Sequence, residues 1–261
     1  MSDVFYKTAE LQPHKGRYWR DANPEDVAAS EQHVRDVCAT CRAAPERLDN
    51  AGIHTVRVDE KTSTQALEPK APTKPMRPGL IERREVEYQR HGTQVLIGNF
   101  AVATGEVIAP TAQQTRGEAD FAAHVAQTIA TDPEAGWVFV ADNLTTHNSA
   151  TLVLLIAGVC GIPADALGTE GKSGVSKSVA TRKAFLTDVG HRVRFVYVPE
   201  HPSWLNQIEI WFSVLSRRVI RRGVSRSTDD LRDRILTFID YYNDTIAKPY
   251  KWTYAGRPLN V

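Results

Sequence analysis

The segment GWVFVADN at residues 136–143 is the best starting point for working out the fold. It is a continuous apolar run of strand length, which is typical of a strand buried on both faces. It ends in an acid, Asp142, and the next segments outward read as helices. We therefore predict a strand inside a sheet, with helices packed on both sides of it.

The neighbouring segments extend this pattern into a whole domain. IHTVRVDE at residues 53–60 alternates apolar and polar side chains, as a half-buried strand does. Further strands are predicted as a hairpin within 93–110, turning at Thr104-Gly105, and at 191–199. Apolar residues at helical spacing, with start and stop signals, predict helices at 116–130, 149–161, 204–221 and 227–245. The alternation of these elements predicts an α/β fold with a mixed central sheet flanked by helices.

Composition narrows the class of protein. The 261 residues suffice for one large domain, and 42% hydrophobic with 24% charged residues is typical of a globular chain. A net charge of +1 gives no global basic signature of a nucleic-acid binder, although a local basic patch is enough to contact phosphates. Three cysteines form no disulfide framework, so we expect a reducing, cytoplasmic location. We find no signal peptide and no apolar run of bilayer-spanning length, and expect no membrane contact.

Three acids stand at positions that suit a shared site. Asp59 and Asp142 each end a predicted strand, and Glu209 lies on the helix after the last strand. Ligands of open α/β sheets bind beyond the carboxyl ends of the strands. On a helical wheel Glu209 falls about 90° from the centre of the apolar stripe. The apolar stripe consists of Leu205, Ile208, Phe212, Leu215 and Val219. The polar flank on which Glu209 lies also contains Asn206 and Ser213.

An all-oxygen set of two Asp and one Glu suits a hard cation such as Mg²⁺ or Mn²⁺. Two such ions about 3.5–4 Å apart activate the attacking oxygen and stabilise the leaving one in phosphodiester chemistry. Each acid alone also has an ordinary structural explanation. An aspartate at the end of a strand commonly forms a turn or caps a helix, and a glutamate on a helix flank is commonly solvated.

Four segments together resemble the catalytic domain of DDE transposases, in the bacterial insertion-sequence branch allied to the mariner superfamily. They are VDEKTSTQAL (58–67), FVADNLTTH (139–147), PSWLNQIEIWFSVLSRR (202–218) and YNDTIAKPYKWTYAGRPL (242–259). The resemblance covers about residues 13–259. The DN…H motif and WLNQIEIWF, in this order and each after a strand, are specific in combination.

The resemblance implies an RNase H-like fold in which Asp59, Asp142 and Glu209 are both the catalytic residues and the ligands of two Mg²⁺ or Mn²⁺ ions. It implies cleavage of double-stranded DNA at transposon ends, followed by transfer of the 3′-hydroxyl end into a target containing TA. No covalent protein–DNA intermediate is implied, and a homodimer on DNA is expected. The residues expected to support the metal ligands are Asn143, His147 and Asn206.

The resemblance also divides the chain. We predict an N-terminal arm of lead-in helices over 1–50, a catalytic domain over 51–248 and a C-terminal tail over 249–261. The spacing between Asp142 and Glu209 exceeds the common mariner pattern, so an insertion is expected at about 158–190. Helix-turn-helix modules usual in the family do not fit before Asp59, and a separate helix-turn-helix partner chain is one explanation.

Basic clusters outside the acids are candidates for contacts to DNA phosphates. The alternative is a solvated helix end that the helix dipole favours. The candidate DNA-binding residues are Lys172, Lys177, Arg217, Arg218, Arg221 and Arg222. Two rival functions stay open at this stage: an RNase H-like nuclease without strand transfer, and an inactive remnant of a truncated transposase.

Overall fold

The computed structural model describes residues 24–199, 207–221 and 223–251, with side chains from residue 32 onward. The predicted site residues Asn206 and Arg222 lie outside the described residues and side chains. The strands are β1 Ile53–Pro69, β2 Tyr88–Ala101, β3 Val107–Gln113, β4 Gly136–Ala141 and β5 Val193–Tyr197. The α-helices are α1 Pro24–Arg42, α2 Ala44–Ala51, α3 Glu118–Ile129, α4 Ala150–Val159, α5 Val179–Leu186, α6 Gln207–Leu215 and α7 Thr228–Thr245.

The five strands form one mixed sheet in the order β3-β2-β1-β4-β5. β1, β2 and β3 pair antiparallel, while β1, β4 and β5 run parallel. The predicted α/β class is confirmed, and this order is the RNase H-like arrangement that the resemblance implied. The hairpin is confirmed as well: its turn uses Gly105 at φ 83°, where an added Cβ would lie 2.0 Å from the carbonyl oxygen of Lys248.

β1 is longer than predicted, which changes the position of Asp59. Parallel pairing with β4 stops at Arg57 opposite Val140, but antiparallel pairing with β2 continues to Pro69. The prediction that Asp59 ends a strand was therefore wrong, because its antiparallel neighbour carries the strand onward. The segment 68–80 begins inside β1 and later makes isolated bridges, Lys74 to Arg83 and Arg77 to Leu80.

A bulge interrupts β1 shortly after Asp59. The pairing with β2 shifts by one residue between Lys61 and Thr64, and Ser63 takes a positive φ of 56°. An extra residue reverses which face of the sheet the following side chains occupy. Thr64 and Ala66 are consequently buried, and Ala66 packs in the same cluster as α6 and α7.

Helices cover both faces of the sheet. Helices α3 and α4 pack on one face around Phe121, Phe139 and Ile156. Helices α6 and α7 cover β1 and β2 on the other face, where Trp211 and Ile235 are fully buried. The rest of that second face is covered by α1 and α2. The buried residues of this contact are Val34, Val37, Cys38, Cys41 and Ala44 from the helical part, and Val102, Val140 and Val198 from the sheet and the residues next to it.

The N-terminal helices α1 and α2 therefore pack on the sheet through the buried residues of their described part. Cys38 and Cys41 of the C-x-x-C sequence are buried in this contact, and the Arg57 guanidinium donates to the Cys41 Sγ at 3.1 Å. The division into an arm, a catalytic domain and a tail stays a prediction. In the part of the chain that the structure describes, no helix combines the length and apolar character needed to span a bilayer.

A buried polar network lies beneath α3. The Asn99 amide donates to His124 Nε2 at 2.8 Å and to Thr128 Oγ1 at 2.7 Å. His124 Nδ1 therefore carries the proton and donates to Thr111 Oγ1 at 2.8 Å. Burial, with the nearby His147 charge, lowers the pKa of His124 to about 3, so this imidazole is neutral at physiological pH.

Candidate active site

The sheet brings the first two acids side by side. Arg57 pairs with Val140 in the parallel register, and continuing that register by two residues sets Asp59 beside Asp142. Asp142 directly follows the last residue of β4, as predicted. Residues paired in neighbouring strands share a face of the sheet. Both carboxylates consequently lie at the end of the parallel part of the sheet.

Glu209 reaches this place because α6 packs closely on the sheet. Gly98 lies opposite Asp59 in the β1–β2 pairing. A Cβ on Gly98 would lie 3.2 Å from Ile208 Cδ1 and 3.7 Å from Phe212 Cε1, so a side chain here would crowd the helix. Glu209 itself is exposed, beside the buried stripe, and lines an open cleft together with Asp59. The prediction that Glu209 stays outside the core is confirmed.

The charges of the three acids act on one another. The pKa of Asp59 is raised to about 7, chiefly by burial and in addition by the negative charges of Asp142 and Glu209. The backbone N–H of Glu60, which donates to Asp59 Oδ1 at 2.7 Å, acts in the opposite direction. Partial desolvation and the Asp142 charge also raise the pKa of Glu209. Mutual repulsion of this kind disfavours three ionised carboxylates without a cation.

Asp142 behaves in the opposite way because His147 supports it. His147 Nδ1 lies 2.7 Å from Asp142 Oδ1, and the Leu144 backbone N–H donates to the same oxygen at 3.1 Å. Burial alone would raise the pKa of Asp142, but these contacts outweigh burial and lower it. Oδ2 of Asp142 accepts no hydrogen bond from the described residues, so it is available to a further ligand.

His147 is held between two carboxylates. It is fully buried, stacks against Phe121 at 4.0 Å between ring centroids, and its backbone carbonyl accepts from Tyr197 Oη at 2.8 Å. Burial would lower the pKa of His147, yet Asp142 and Glu60 together raise it to about 9. The imidazole is therefore a cation at neutral pH. Its predicted place near Asp142 is what the structure shows.

Sequence reasoning missed Glu60, the second partner of His147. Its side chain is only 3% exposed, and Oε1 lies 3.7 Å from His147 Nε2, which is an ionic contact longer than a hydrogen bond. Arg116 lies 3.7 Å from the other carboxylate oxygen. A signal was present in the sequence, because successive strand residues point to opposite faces. Asp59 facing α6 requires Glu60 to face α3.

The donor set fits a hard cation, although the side chains are not gathered around one. Within the described ranges, no three His, Cys, Asp or Glu side chains are close enough to form a ready metal-binding group. The chemistry nevertheless matches, since all three acids supply oxygen and the Asp142 and Glu209 charges add to the effect of burial in raising the pKa of Asp59.

Other predicted residues take different places. Asn143 accepts from Lys183 Nζ at 2.8 Å and donates to the Val198 carbonyl at 2.9 Å, so it joins β4, α5 and β5 and has no described contact with the carboxylates. Lys183, which supports this junction, was not singled out from the sequence. The described basic candidates are all exposed at the surface, and their role stays a prediction: Lys172, Lys177, Arg217, Arg218 and Arg221.

The expected insertion at about 158–190 is folded onto the domain. It contains α5, and its residues Leu167 and Leu186 are buried in the cluster formed with α3 and α4. Arg182 donates to the Asn148 carbonyl at 2.7 Å, which ties α5 to the segment that carries His147. The added length therefore supports the region around Asp142.

The family model of the DDE superfamily endonucleases matches residues 54–232, which is most of the chain and includes all three acids. The chain belongs to the DDE superfamily endonuclease family. The resemblance seen in the sequence is confirmed at this level. No curated protein matches the chain.

Solved mariner transposases are distantly similar in structure. The pre-cleavage Mos1 transpososome is 11% identical, with a TM-score of 0.39 over 92% of this chain and 67% of that chain. The Mos1 paired end complex with Mn is 14% identical, with a TM-score of 0.31 over 94% and 70%. The Mos1 catalytic domain with raltegravir and Mn is 13% identical, with a TM-score of 0.31 over 84% and 96%. Similarity this distant does not assign a function.

Proposed function

We propose that this chain is the catalytic domain of a transposase, which cleaves DNA and transfers the cut strand with the help of divalent metal ions. The observation that supports it best is that Asp59 and Asp142 lie just beyond the parallel pairing of two neighbouring strands and Glu209 lies on the helix packed above them, while burial, together with the Asp142 and Glu209 charges, raises the pKa of Asp59 to about 7. Membership of the DDE superfamily endonucleases agrees with this chemistry.

In this proposal the three carboxylates hold two Mg²⁺ or Mn²⁺ ions, and Asp142 contributes the Oδ2 that its neighbours leave available. Bound ions of this kind supply positive charge that activates the attacking oxygen and stabilises the leaving one. His147 keeps Asp142 ionised and fixes its orientation through Oδ1. Groups that orient metal ligands typically change affinity or activity by about 10–100-fold when removed.

The partners follow from the same proposal. Double-stranded DNA is the substrate, as transposon ends and a TA-containing target, and two copies of the chain act on the paired ends. A separate helix-turn-helix chain is the proposed reader of the transposon ends, and the cytoplasm is the proposed location. The exposed arginines after α6 and the lysines of the 158–190 segment are proposed phosphate contacts.

The test is metal-dependent nicking of supercoiled plasmid by the purified chain, followed by a strand-transfer assay with pre-cut ends. We expect nicking with Mg²⁺ or Mn²⁺ and none with EDTA, and we expect Asp142→Ala to lose at least about a hundredfold. Asp244→Ala, which removes an exposed carboxylate from α7, is the matched control and should behave as wild type.

The outcomes separate the rival functions. Cleavage without joining would identify a nuclease of the same superfamily. Equal behaviour of wild type and Asp142→Ala, also after fusion to a helix-turn-helix module that reads the transposon ends, would identify an inactive remnant and overturn the proposal.

A further inference from the structure

Strand alternation places a lysine, just before the bulge in β1, in the cleft beside the carboxylates. The cleft has a volume of about 370 Å³. Its lining residues are Asp59, Glu60, Lys61, Thr62, Glu209, Phe212, Ser213 and Ser216. The geometry points to Lys61 as a positioning residue that binds the DNA phosphate next to the one attacked. This inference rests on the proposed function and deepens it.

The direction of Lys61 follows from strand alternation. Lys61 is two residues after Asp59 and pairs with Leu96, which is buried under α6 and α7. Both side chains therefore leave the sheet on the α6 face. The register shift begins only after Lys61, with Ser63 at positive φ. The bulge interrupts the regular pairing with β2 directly after Lys61, and Thr62 also lines the cleft.

The two serines of the cleft are poorly suited to bind a phosphate. Ser213 Oγ donates to the Glu209 carbonyl at 3.0 Å, and Ser216 Oγ donates to the Phe212 carbonyl at 2.7 Å. Each hydroxyl proton is thereby used within the helix, and only lone pairs face the cleft. Phosphate oxygens need donors. Among the described residues that line the cleft, Lys61 is the only cationic side chain.

Charge balance makes a cation necessary at this position. A DNA strand that reaches Asp59 and Glu209 brings one negative charge per nucleotide towards two carboxylates. Metal ions offset the charge at the attacked phosphate, but the neighbouring phosphate needs its own counter-charge. The Lys61 ammonium forms no ion pair with any described carboxylate, so it can serve a phosphate without breaking an existing contact.

The experiment measures how binding of a fluorescent nicked DNA duplex of arbitrary sequence depends on salt, with Ca²⁺ held constant. Ca²⁺ is used because it is an oxygen-binding cation that can occupy carboxylate sites. We compare Lys61→Gln and Lys61→Arg with Lys248→Gln, an exposed lysine near the β2–β3 turn at the opposite end of the sheet. Thermal melting checks that each variant is folded, and plasmid nicking with Mn²⁺ is recorded in parallel.

One lost phosphate contact lowers the slope of log K against log salt by about 0.9. We expect that loss for Lys61→Gln, recovery with Lys61→Arg and no change for Lys248→Gln. An unchanged slope in a folded Lys61→Gln, or no DNA binding by the wild type, would overturn the inference. If Lys61→Gln lowers the salt slope but the wild type shows no Mn²⁺-dependent nicking, the result counts against the proposed function and leaves the phosphate contact standing.

Discussion

Asp59 and Asp142 are neighbours of the same chemical type, but the fold treats them differently. Asp142 receives two hydrogen bonds on one oxygen, one of them from a buried cationic histidine, and its pKa is lowered. Asp59 receives a backbone N–H but faces two other carboxylates, and its pKa rises to about 7. The fold sets the cationic His147 directly against Asp142, whereas at Asp59 burial and two carboxylates outweigh the groups that lower its pKa.

The difference indicates how such a site can be both stable and reactive. A histidine cation on Asp142 keeps one ligand ionised and oriented before any metal arrives. At Asp59, the neighbouring carboxylates repel the ionised side chain, and a bound cation would relieve this repulsion. The two aspartates should therefore respond in opposite directions when each is neutralised without metal.

The largest expected effect comes from neutralising Asp142. Asp142→Asn leaves the buried His147 with only the more distant Glu60 as a described charged partner, and because the Asp142 side chain is half-exposed we take the lower end, about 3 kcal/mol, of the cost of breaking a buried pair. We expect the free energy of unfolding in urea at pH 7 with EDTA to fall by that amount. Adding His147→Gln should cost little more, because the charge left unpaired is then gone. Fully additive losses would show that the pair is not coupled.

Neutralising Asp59 should stabilise the metal-free chain. Its folded pKa of about 7 exceeds the ordinary 3.8, so the folded state holds a proton that the unfolded state releases between these values. Wild-type stability is consequently lost as pH rises from about 4 to 7, and Asp59→Asn avoids this loss. We expect a gain of about 1–3 kcal/mol at pH 8 that shrinks towards pH 4.

Comparison of the two chains at each pH separates this effect from that of His124. His124 has a lowered pKa and makes wild type and variant alike less stable as pH falls from about 6.5 towards 3. Urea unfolding of both chains across the range is the measurement. A constant difference at all pH values would show that the carboxyl group of Asp59 titrates normally.

Metal should reverse the penalty at Asp59. Mg²⁺ or Mn²⁺ at about ten times its dissociation constant stabilises the folded state by about 1.4 kcal/mol. We expect a rise in melting temperature for wild type at pH 8 and a much smaller one for Asp59→Asn and for Glu209→Gln. Equal rises in all three chains would place the bound metal elsewhere.

The smallest expected effect moves Glu209 while leaving both aspartates in place. Gly98→Ala puts a Cβ 3.2 Å from Ile208 Cδ1, so α6 must shift by a few tenths of an ångström at a cost below about 1 kcal/mol. Glu209 contributes to the raised pKa of Asp59. We therefore expect the pH dependence of stability that comes from Asp59 to shift, while the part that comes from Asp142 stays the same. Adding Ile208→Val, which removes Cδ1, should restore wild-type behaviour. The readouts are urea unfolding across pH and the nicking rate.

Much of this arrangement could be predicted from the sequence because it follows from periodicity. The apolar run of β4 and the alternation in β1 predicted the sheet, and the helical wheel set Glu209 beside the apolar stripe of α6. The DN…H motif and the segment around Glu209 indicated the family. These signals are local, and each depends only on residues close together in the chain.

The parts that were missed depend on long-range pairing. β1 was predicted too short because its extension needs β2 as a partner. The positions of Glu60 and Lys61 depend on the face of the sheet on which each emerges, and the bulge at Ser63, which no composition signal marks, was missed as well. Asn143 was expected to support the metal ligands, which stays a prediction, and its described hydrogen bonds to Lys183 and to the Val198 carbonyl likewise join parts that are distant in sequence.

The parallel pairing of β1 with β4 also has a consequence for the order of folding. β1 and β2 are joined in a hairpin, whereas β4 comes only after β3 and α3. Closing such a long loop is entropically slow, so contacts of this kind form late. We therefore expect Asp59 and Asp142 to come together late in folding. A chain still emerging from the ribosome therefore does not yet have the paired carboxylates, and the candidate site is incomplete until β4 has joined the sheet.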